Sequence, residues 1–192
     1  LIHSLGIASI NLPIKEIRST FSEQWALNFN EEIIGVTDEN LQARIRGVLL
    51  MAFANANGWL VLTTGNKSEA AVGYSTLYGD TAGAYAVIKD VYKTGVYGLA
   101  RWRNESVGNE IIPHSIIDKP PSAELRPDQR DDQSLPSYDI LDPLLKSYIE
   151  GDRTRAELVE DGFDPKIVDE IVQLVDTSEY KRRQNPPGVR VT

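Results

Sequence analysis

Apolar positions along this chain fall into blocks whose spacing changes from one stretch to the next. Residues 5–14 hold two short apolar stretches, Gly6-Ile7-Ala8 and Ile10-Asn11-Leu12-Pro13-Ile14, the length of a strand and its exit. Residues 15–29 are mixed and only weakly helical in pattern. Thr37 then reads as a helix cap, with Asp38 and Glu39 in the first turn where the helix dipole favours acids. Leu41, Ile45, Val48, Leu49, Ala52, Phe53 and Ala56 follow at helical spacing, and Gly58 closes that helix from just past its end. Trp59 to Thr63 is an uninterrupted apolar run of strand length. Its lack of alternation predicts a strand buried on both faces, as in a parallel sheet under helices.

Beyond that strand, Ser68 to Gly73 is short and Ala-rich. Glycine and threonine punctuate residues 74–88, which read as an extended loop with one more strand, Tyr85 to Ile88. Lys93-Thr94 opens another helix, with Val96, Tyr97, Leu99, Ala100 and Trp102 on its apolar face. From Asn104 to Pro143 six prolines and the charged run Asp128 to Asp132 interrupt regular structure. Leu125, Leu135, Tyr138, Ile140 and Leu141 lie among those prolines, so the segment reads as an ordered functional loop rather than a tether. Helices return from Leu144. Asp142-Pro143 and Asp164-Pro165 each read as a capping acid before a proline at the first helical position. Ile167, Ile171, Val172 and Val175 form a stripe, and Ser178 is placed to cap a last helix through Arg183.

Helix into buried strand into polar loop is half of an α/β unit, so the predicted class is α/β. Two parts are expected: residues 1–142, a partial α/β nucleotide-binding core that includes the proline-rich loop 104–142, and residues 143–192, a helical segment with a basic tail. With 41% apolar and 25% charged residues in 192, the composition is that of a soluble globular protein. No apolar run approaches the ~20 residues of a membrane span. The absence of cysteine excludes a disulfide scaffold, a thiolate zinc site and a cysteine nucleophile. A net charge of −8 argues against a nucleic-acid partner. The chain opens Leu1-Ile2-His3 without Met or a basic leader, and reads like the interior of a longer protein.

Three stretches carry candidate chemistry. Leu62-Thr63-Thr64-Gly65-Asn66-Lys67-Ser68-Glu69 puts a small polar loop beyond the carboxyl end of a strand, where ligands bind in open α/β sheets. Its backbone N–H groups and the following helix start suit an anion, Thr64 offers a hydroxyl, Lys67 a charge, and Glu69 an acid for a divalent cation. The same residues also read as an ordinary turn with a Ser cap. Gly73 to Gly83 offers close backbone approach and two tyrosine faces for a flat ring, or is a glycine-rich surface loop. Lys181, Arg182, Arg183 and Arg190 follow Glu179 with no further acid, a cluster able to grip phosphate or carboxylate, or a solvated helix end. His3 and His114 have no hydrolase or metal spacing around them, and neither G-x-G-x-x-G nor a Walker A sequence is present.

Taken together, Thr63-Thr64-Gly65-Asn66-Lys67-Ser68-Glu69, Tyr78-Gly79-Asp80, Lys93-Thr94, Lys119-Pro120-Pro121-Ser122-Ala123-Glu124-Leu125-Arg126-Pro127 and Glu179 to Gly188 strongly resemble the NAD synthetase family, in the family's order and over nearly the whole chain. The Thr-Thr-Gly-Asn-Lys-Ser-Glu form with the long proline-rich loop is more similar to the glutamine-dependent branch than to the ammonia-dependent one. The resemblance implies an ATP-pyrophosphatase-type (adenine nucleotide alpha hydrolase-like) parallel sheet with helices on both faces, a cytoplasmic homodimer, and ATP- and Mg2+-dependent amidation of deamido-NAD. In that reaction the nicotinate carboxylate attacks the α-phosphate of ATP and pyrophosphate leaves. Ammonia then displaces AMP from the acyl adenylate, giving NAD. By matching motifs, the resemblance implies ATP contacts at Thr64, Lys93 and Ser122. It implies deamido-NAD contacts at Asn40, Arg44, Glu69, Tyr74, Ser75, Thr76, Leu77 and Lys181, and magnesium at Glu69.

The family's pyrophosphate loop, Ser-Gly-Gly-x-Asp-Ser after the first strand, has no counterpart here. It is expected upstream of Leu1 with the missing N-terminal strand or strands, and a nitrilase-like glutaminase domain further upstream in the same polypeptide. The chain by itself is then expected to hold half an ATP site. Three rival readings remain: a non-catalytic nucleotide-binding regulatory module, another ATP-pyrophosphatase-type amidotransferase such as GMP synthetase, and a helical interaction module.

Overall fold

The computed structural model describes all residues, 1–192, as ten α-helices and a small two-stranded parallel sheet. The helices are α1 (Ile2–Leu5), α2 (Lys15–Phe29), α3 (Val36–Asn57), α4 (Lys67–Val72), α5 (Lys93–Val107), α6 (His114–Ile117), α7 (Tyr138–Ile149), α8 (Arg155–Glu160), α9 (Pro165–Thr177) and α10 (Glu179–Arg182). Strand β1 (Leu62–Thr63) precedes α4 and β2 (Tyr85–Ala86) precedes α5. The two strands pair in parallel, Leu62 opposite Tyr85 and Thr63 opposite Ala86. No helix is long and apolar enough to cross a membrane.

Several expectations change at the N-terminal end. The strand predicted over residues 5–14 is instead the end of α1 followed by irregular chain, because Gly6 turns out of α1 at φ 63° and no strand lies alongside to pair with it. The weak pattern of 15–29 folds into a full 15-residue helix that buries none of its residues. It is held to α3 by a two-pronged Arg18–Asp38 contact at 2.6 and 2.8 Å. Helix α3 starts one residue before Thr37, with Gly35 in the capping position, while Gly58 ends it at φ 66° as predicted.

The predicted two-face burial of the Trp59 run is overturned. Trp59, Leu60 and Leu62 are 61%, 65% and 53% exposed. The strand has β2 as its single neighbour and packs against no helix, so only Thr63 is buried. Both strands are also shorter than predicted. The core lies elsewhere, in a cluster of twelve buried residues drawn mainly from α7, α8 and α9. Leu141, Leu144, Leu145, Leu158, Val168 and Ile171 are fully buried, and Ala71 and Val72 of α4 complete the cluster. At about 25 cal/mol per Å2 of apolar surface, each such Leu or Ile contributes about 1.5–3 kcal/mol. Burying them here makes the helical half the main source of stability.

The proline-rich segment is ordered and carries more helix than predicted. Helix α5 runs on to Val107, α6 and a 3-10 turn (Asp131–Gln133) interrupt the loop, and α7 begins at Tyr138. Pro143 therefore sits inside α7 and not at its start, and Asp142 does not cap that helix. The buried row Tyr138, Leu141, Leu144 and Leu145 holds α7 together across the backbone bond that proline removes. The matching expectation at Asp164 is met: its carboxylate accepts the N–H groups of Lys166 and Ile167, with Pro165 first in α9. Ser178 stands at the start of α10, but its hydroxyl donates to the Val72 carbonyl of α4 rather than capping α10.

Candidate functional site

The loop leaving β1 is pinned by α4. Asn66 caps the helix by accepting the Glu69 N–H at 3.0 Å, and Glu69 Oε2 accepts the Asn66 N–H at 3.1 Å. This reciprocal cap is the local form that Asn-Lys-Ser-Glu encodes, with Asn66 as the cap where the sequence suggested Ser68. It leaves Glu69 Oε1 free to take the Lys93 ammonium at 3.1 Å. Lys93 Nζ also lies 5.4 Å from the centroid of the Tyr138 ring and 5.9 Å from that of Tyr97, so its charge sits over aromatic faces.

A cleft opens beside this cap. Thr63, Gly65, Glu69, Ser75, Lys89 and Asn185 are among its lining residues, with Thr64 exposed between two of them. One wall is the C-terminal tail: Ala86 donates its N–H to the Pro187 carbonyl at 2.9 Å and Lys89 Nζ donates to the Pro186 carbonyl at 2.7 Å. The β1 loop and α4, consecutive in the chain, thus meet a tail that lies more than a hundred residues further on in sequence.

Of residues 74–77, Ser75 lines the cleft, and side chains from other elements hold the stretch in place. Lys181 Nζ donates to the carbonyls of Gly73 and Ser75, both at 2.7 Å. The Thr76 hydroxyl donates to Asn40 Oδ1 at 2.7 Å, and Arg44 Nε donates to the Leu77 carbonyl at 3.2 Å. The Thr76 N–H goes to Asp80 Oδ1 at 2.7 Å. Burial lowers the pKa of the Lys181 ammonium, with Asp80 partly opposing the shift. The Tyr74 phenol is pushed up to about 12, by burial and then by the Asp131 carboxylate beside it.

Asn40, Arg44 and Lys181 are thus brought onto residues 73–77 by hydrogen bonds, and the Tyr74 N–H, donating to the Glu69 carbonyl at 2.9 Å, joins this stretch to the Glu69–Lys93 pair. Ser122 does not line the cleft. Its hydroxyl accepts the Glu124 N–H at 3.0 Å, in a loop fastened to α3 by Gln42 bonding to the Leu125 carbonyl and by Arg126 pairing with Glu39.

Two buried acids escaped the sequence reading. Asp131, 3% exposed, accepts the Tyr138 hydroxyl on Oδ2 while its Oδ1 has no hydrogen-bond partner. Asp142, 4% exposed, bonds Ser68 and Thr94. The signal for Asp142 was available: a lone acid flanked by Leu141, Leu144 and Leu145 is a charge at a core position, which demands partners. Asp131, inside a run of charged residues, gave no such signal.

A magnesium ion at Glu69 has little to hold it. Both carboxylate oxygens are engaged, one by a lysine, and no group of three metal-capable side chains occurs in the structure. These residues do not by themselves fit a resident metal.

Comparison with known proteins places the chain in a family. The sequence profile of the family described as NAD synthase matches residues 1–185. The glutamine-dependent NAD(+) synthetase of Thermotoga maritima is 50% identical over 192 residues, all of this chain and 33% of that protein. Similar coverage recurs in the protein of that name from Acinetobacter baylyi, so the chain spans about a third of the length of the curated relatives it matches. Among solved structures, the glutamine-dependent NAD+ synthetase from Acinetobacter baumannii in complex with ADP is 43% identical, with a TM-score of 0.59 over all of this chain and 34% of that one. The Cytophaga hutchinsonii synthetase, at 22% identity and a TM-score of 0.80 over 98% of this chain and 32% of that one, shows the shared fold alone. With nearly every residue inside the profile match and half of them identical to a full-length relative, the chain belongs to the NAD synthase family.

Proposed function

We propose that this chain forms the part of a glutamine-dependent NAD synthetase that grips deamido-NAD and one side of ATP. The observation that carries the reading is the convergence of Asn40, Arg44 and Lys181 on residues 74–77. Side chains from α3 and α10 there hold a strip of backbone that the family resemblance assigns to the dinucleotide. The lysine brings a half-buried positive charge to a stretch that otherwise offers carbonyls and hydroxyls.

In this reading the residues do electrostatic and positional work. The nicotinate carboxylate and the α-phosphate of ATP are both anionic, so their approach needs fixed positive charge. Lys181 supplies it at the deamido-NAD end. Lys93 supplies it at the ATP end, where Thr64 and Ser122 of the proline-rich loop offer neutral hydroxyls. Glu69 holds Lys93 in place until nucleotide arrives. Holding the two substrates in line contributes further rate by removing the entropy of their encounter. A metal delivered with ATP would add charge neutralisation on the phosphates. The nucleotide-binding part runs to residue 142, and the helical part from 143 carries the basic tail. A pyrophosphate-binding loop and a glutaminase domain belong to the rest of the polypeptide, which is read as a cytoplasmic homodimer.

Calorimetry on the full-length synthetase tests this. Lys181→Met keeps the aliphatic stem and removes the charge. It is expected to weaken deamido-NAD binding at least about tenfold, a loss of ~1.4 kcal/mol, while ATP binding changes little. Unchanged affinity for deamido-NAD would refute the assignment.

A further inference from the structure

Helix α5 begins at Lys93 without help from its own capping position: Tyr92 makes no side-chain cap. Its first N–H groups are nonetheless satisfied, by side chains of two other helices. Ser68 Oγ of α4 accepts the Lys93 N–H at 2.9 Å. Asp142 Oδ2 of α7 accepts both the N–H and the hydroxyl of Thr94, each at 2.8 Å. Asp142 Oδ1 takes the Ser68 hydroxyl hydrogen at 2.5 Å, which fixes how Ser68 presents its lone pairs to Lys93. Ser68 is fully buried and Asp142 nearly so. A buried carboxylate with three donors, set at the positive end of a 15-residue helix, is in the place where its charge is best tolerated.

This arrangement grips Lys93 at both ends by consecutive residues of α4. Ser68 holds its backbone nitrogen and Glu69 holds its ammonium at 3.1 Å. We propose that Asp142 is a positioning residue for Lys93: it orients Ser68 and anchors Thr94, so that the first turn of α5 delivers the Lys93 ammonium to a fixed point beside the cleft. The inference rests on the reading of Lys93 as an ATP-binding residue, and extends it to a residue that touches no substrate. Asp142 reaches Lys93 only through α5 and Ser68, whereas residues 74–77 are gripped by α3 and α10. Its loss therefore acts on ATP and spares deamido-NAD.

The test is a double-mutant cycle in the full-length synthetase with Asp142→Asn and Lys93→Ala. Asparagine keeps the shape and the Thr94 contacts but turns an N–H group toward Ser68, whose buried hydroxyl hydrogen then has no acceptor. Asp142→Asn is expected to raise KM for ATP about fivefold, the factor for one net hydrogen bond, with KM for deamido-NAD within about twofold. In the Lys93→Ala background the same change is expected to add nothing, because the residue it positions is gone. Equal effects on both substrates, no effect on KM for ATP, or full additivity in the cycle each overturn the proposal. Ser68→Ala removes the acceptor of the Lys93 N–H and carries the same expectations, and it decides the matter if Asp142→Asn does not fold. Should Lys93→Ala leave ATP binding intact, the functional reading of Lys93 itself fails, an outcome distinct from additivity in the cycle.

Discussion

Gly73 is the sharpest structural constraint next to the cleft. It ends α4 at φ 71°, a left-handed conformation that disfavours any Cβ. A Cβ added there would lie 2.2 Å from Ser178 Oγ, 2.7 Å from Ser178 Cβ and 3.4 Å from Lys181 Cδ. Turning the Ser178 hydroxyl aside removes the first clash but not the second, since Cβ moves only with the backbone. Turning it also breaks the bond from Ser178 to the Val72 carbonyl. The left-handed strain costs about 1–2 kcal/mol and the overpacking about 1–3 kcal/mol, so Gly73→Ala is expected to destabilise by about 2–5 kcal/mol. Gly58 supplies the control. It has nearly the same φ, 66°, with no atom within 4 Å of the added Cβ. Gly58→Ala should therefore show the strain alone, about 1–2 kcal/mol.

Urea unfolding followed by tryptophan fluorescence gives both numbers. A Gly73→Ala cost no larger than that of Gly58→Ala would show that α4 and α10 do not meet as described. The pair also separates stability from binding. Gly73 and Ser75 present the two carbonyls that hold Lys181. Gly73→Ala should consequently weaken deamido-NAD binding in the full-length enzyme, while Gly58→Ala leaves it unchanged.

Leu145→Ala empties a fully buried site in the α7–α9 core and is expected to cost about 2–5 kcal/mol in the same urea assay. Thr154→Ala removes the cap of α8, where the Thr154 hydroxyl and Glu157 bond reciprocally, and should cost about 1 kcal/mol. Asp90 carries a pH signature. Against the upward push of desolvation, bonds from Lys67 and from the Thr192 and Val191 N–H groups hold its carboxyl well below the usual carboxylate range. A depressed folded pKa stabilises above the unfolded value, near 3.9, and that stability is lost as pH falls below it. Thermal midpoints measured between pH 6 and pH 3 should fall less steeply for Asp90→Asn than for the parent chain. Parallel profiles would remove Asp90 from the account.

The sequence shows clearly whatever is settled within one turn of chain. Gly58 and the Asp164-Pro165 start are local devices, and each is where the pattern put it. The Trp59 run misled because an apolar strand is buried only if something covers it, and within this chain β2 is its one neighbour. Asp142-Pro143 misled for the opposite reason. An acid before proline is a helix-start signal on its own, but the apolar row from Tyr138 carries α7 across the proline and turns the acid toward α5. Beside the cleft, the motifs singled out residues 74–77 and Lys181 but not their bonds. A lysine that donates to carbonyls 106 and 108 residues away leaves no periodic trace.

These contacts make the six residues of α4 the joint between the core and the cleft. A helix of that length is not stable alone, so its position is set by what surrounds it. Its last residues, Ala71 and Val72, are buried in the α7–α9 cluster. Its first residues, with Asn66, fix the loop after β1 and the Lys93 end of α5. Gly73 then turns the chain into the strip held by Lys181. The sheet cannot take over this role, because two strands with exposed faces are marginal by themselves. The precision of the cleft therefore depends on the packing of helices whose apolar side chains never reach it. A core cavity such as that of Leu145→Ala should loosen substrate binding before it unfolds the protein.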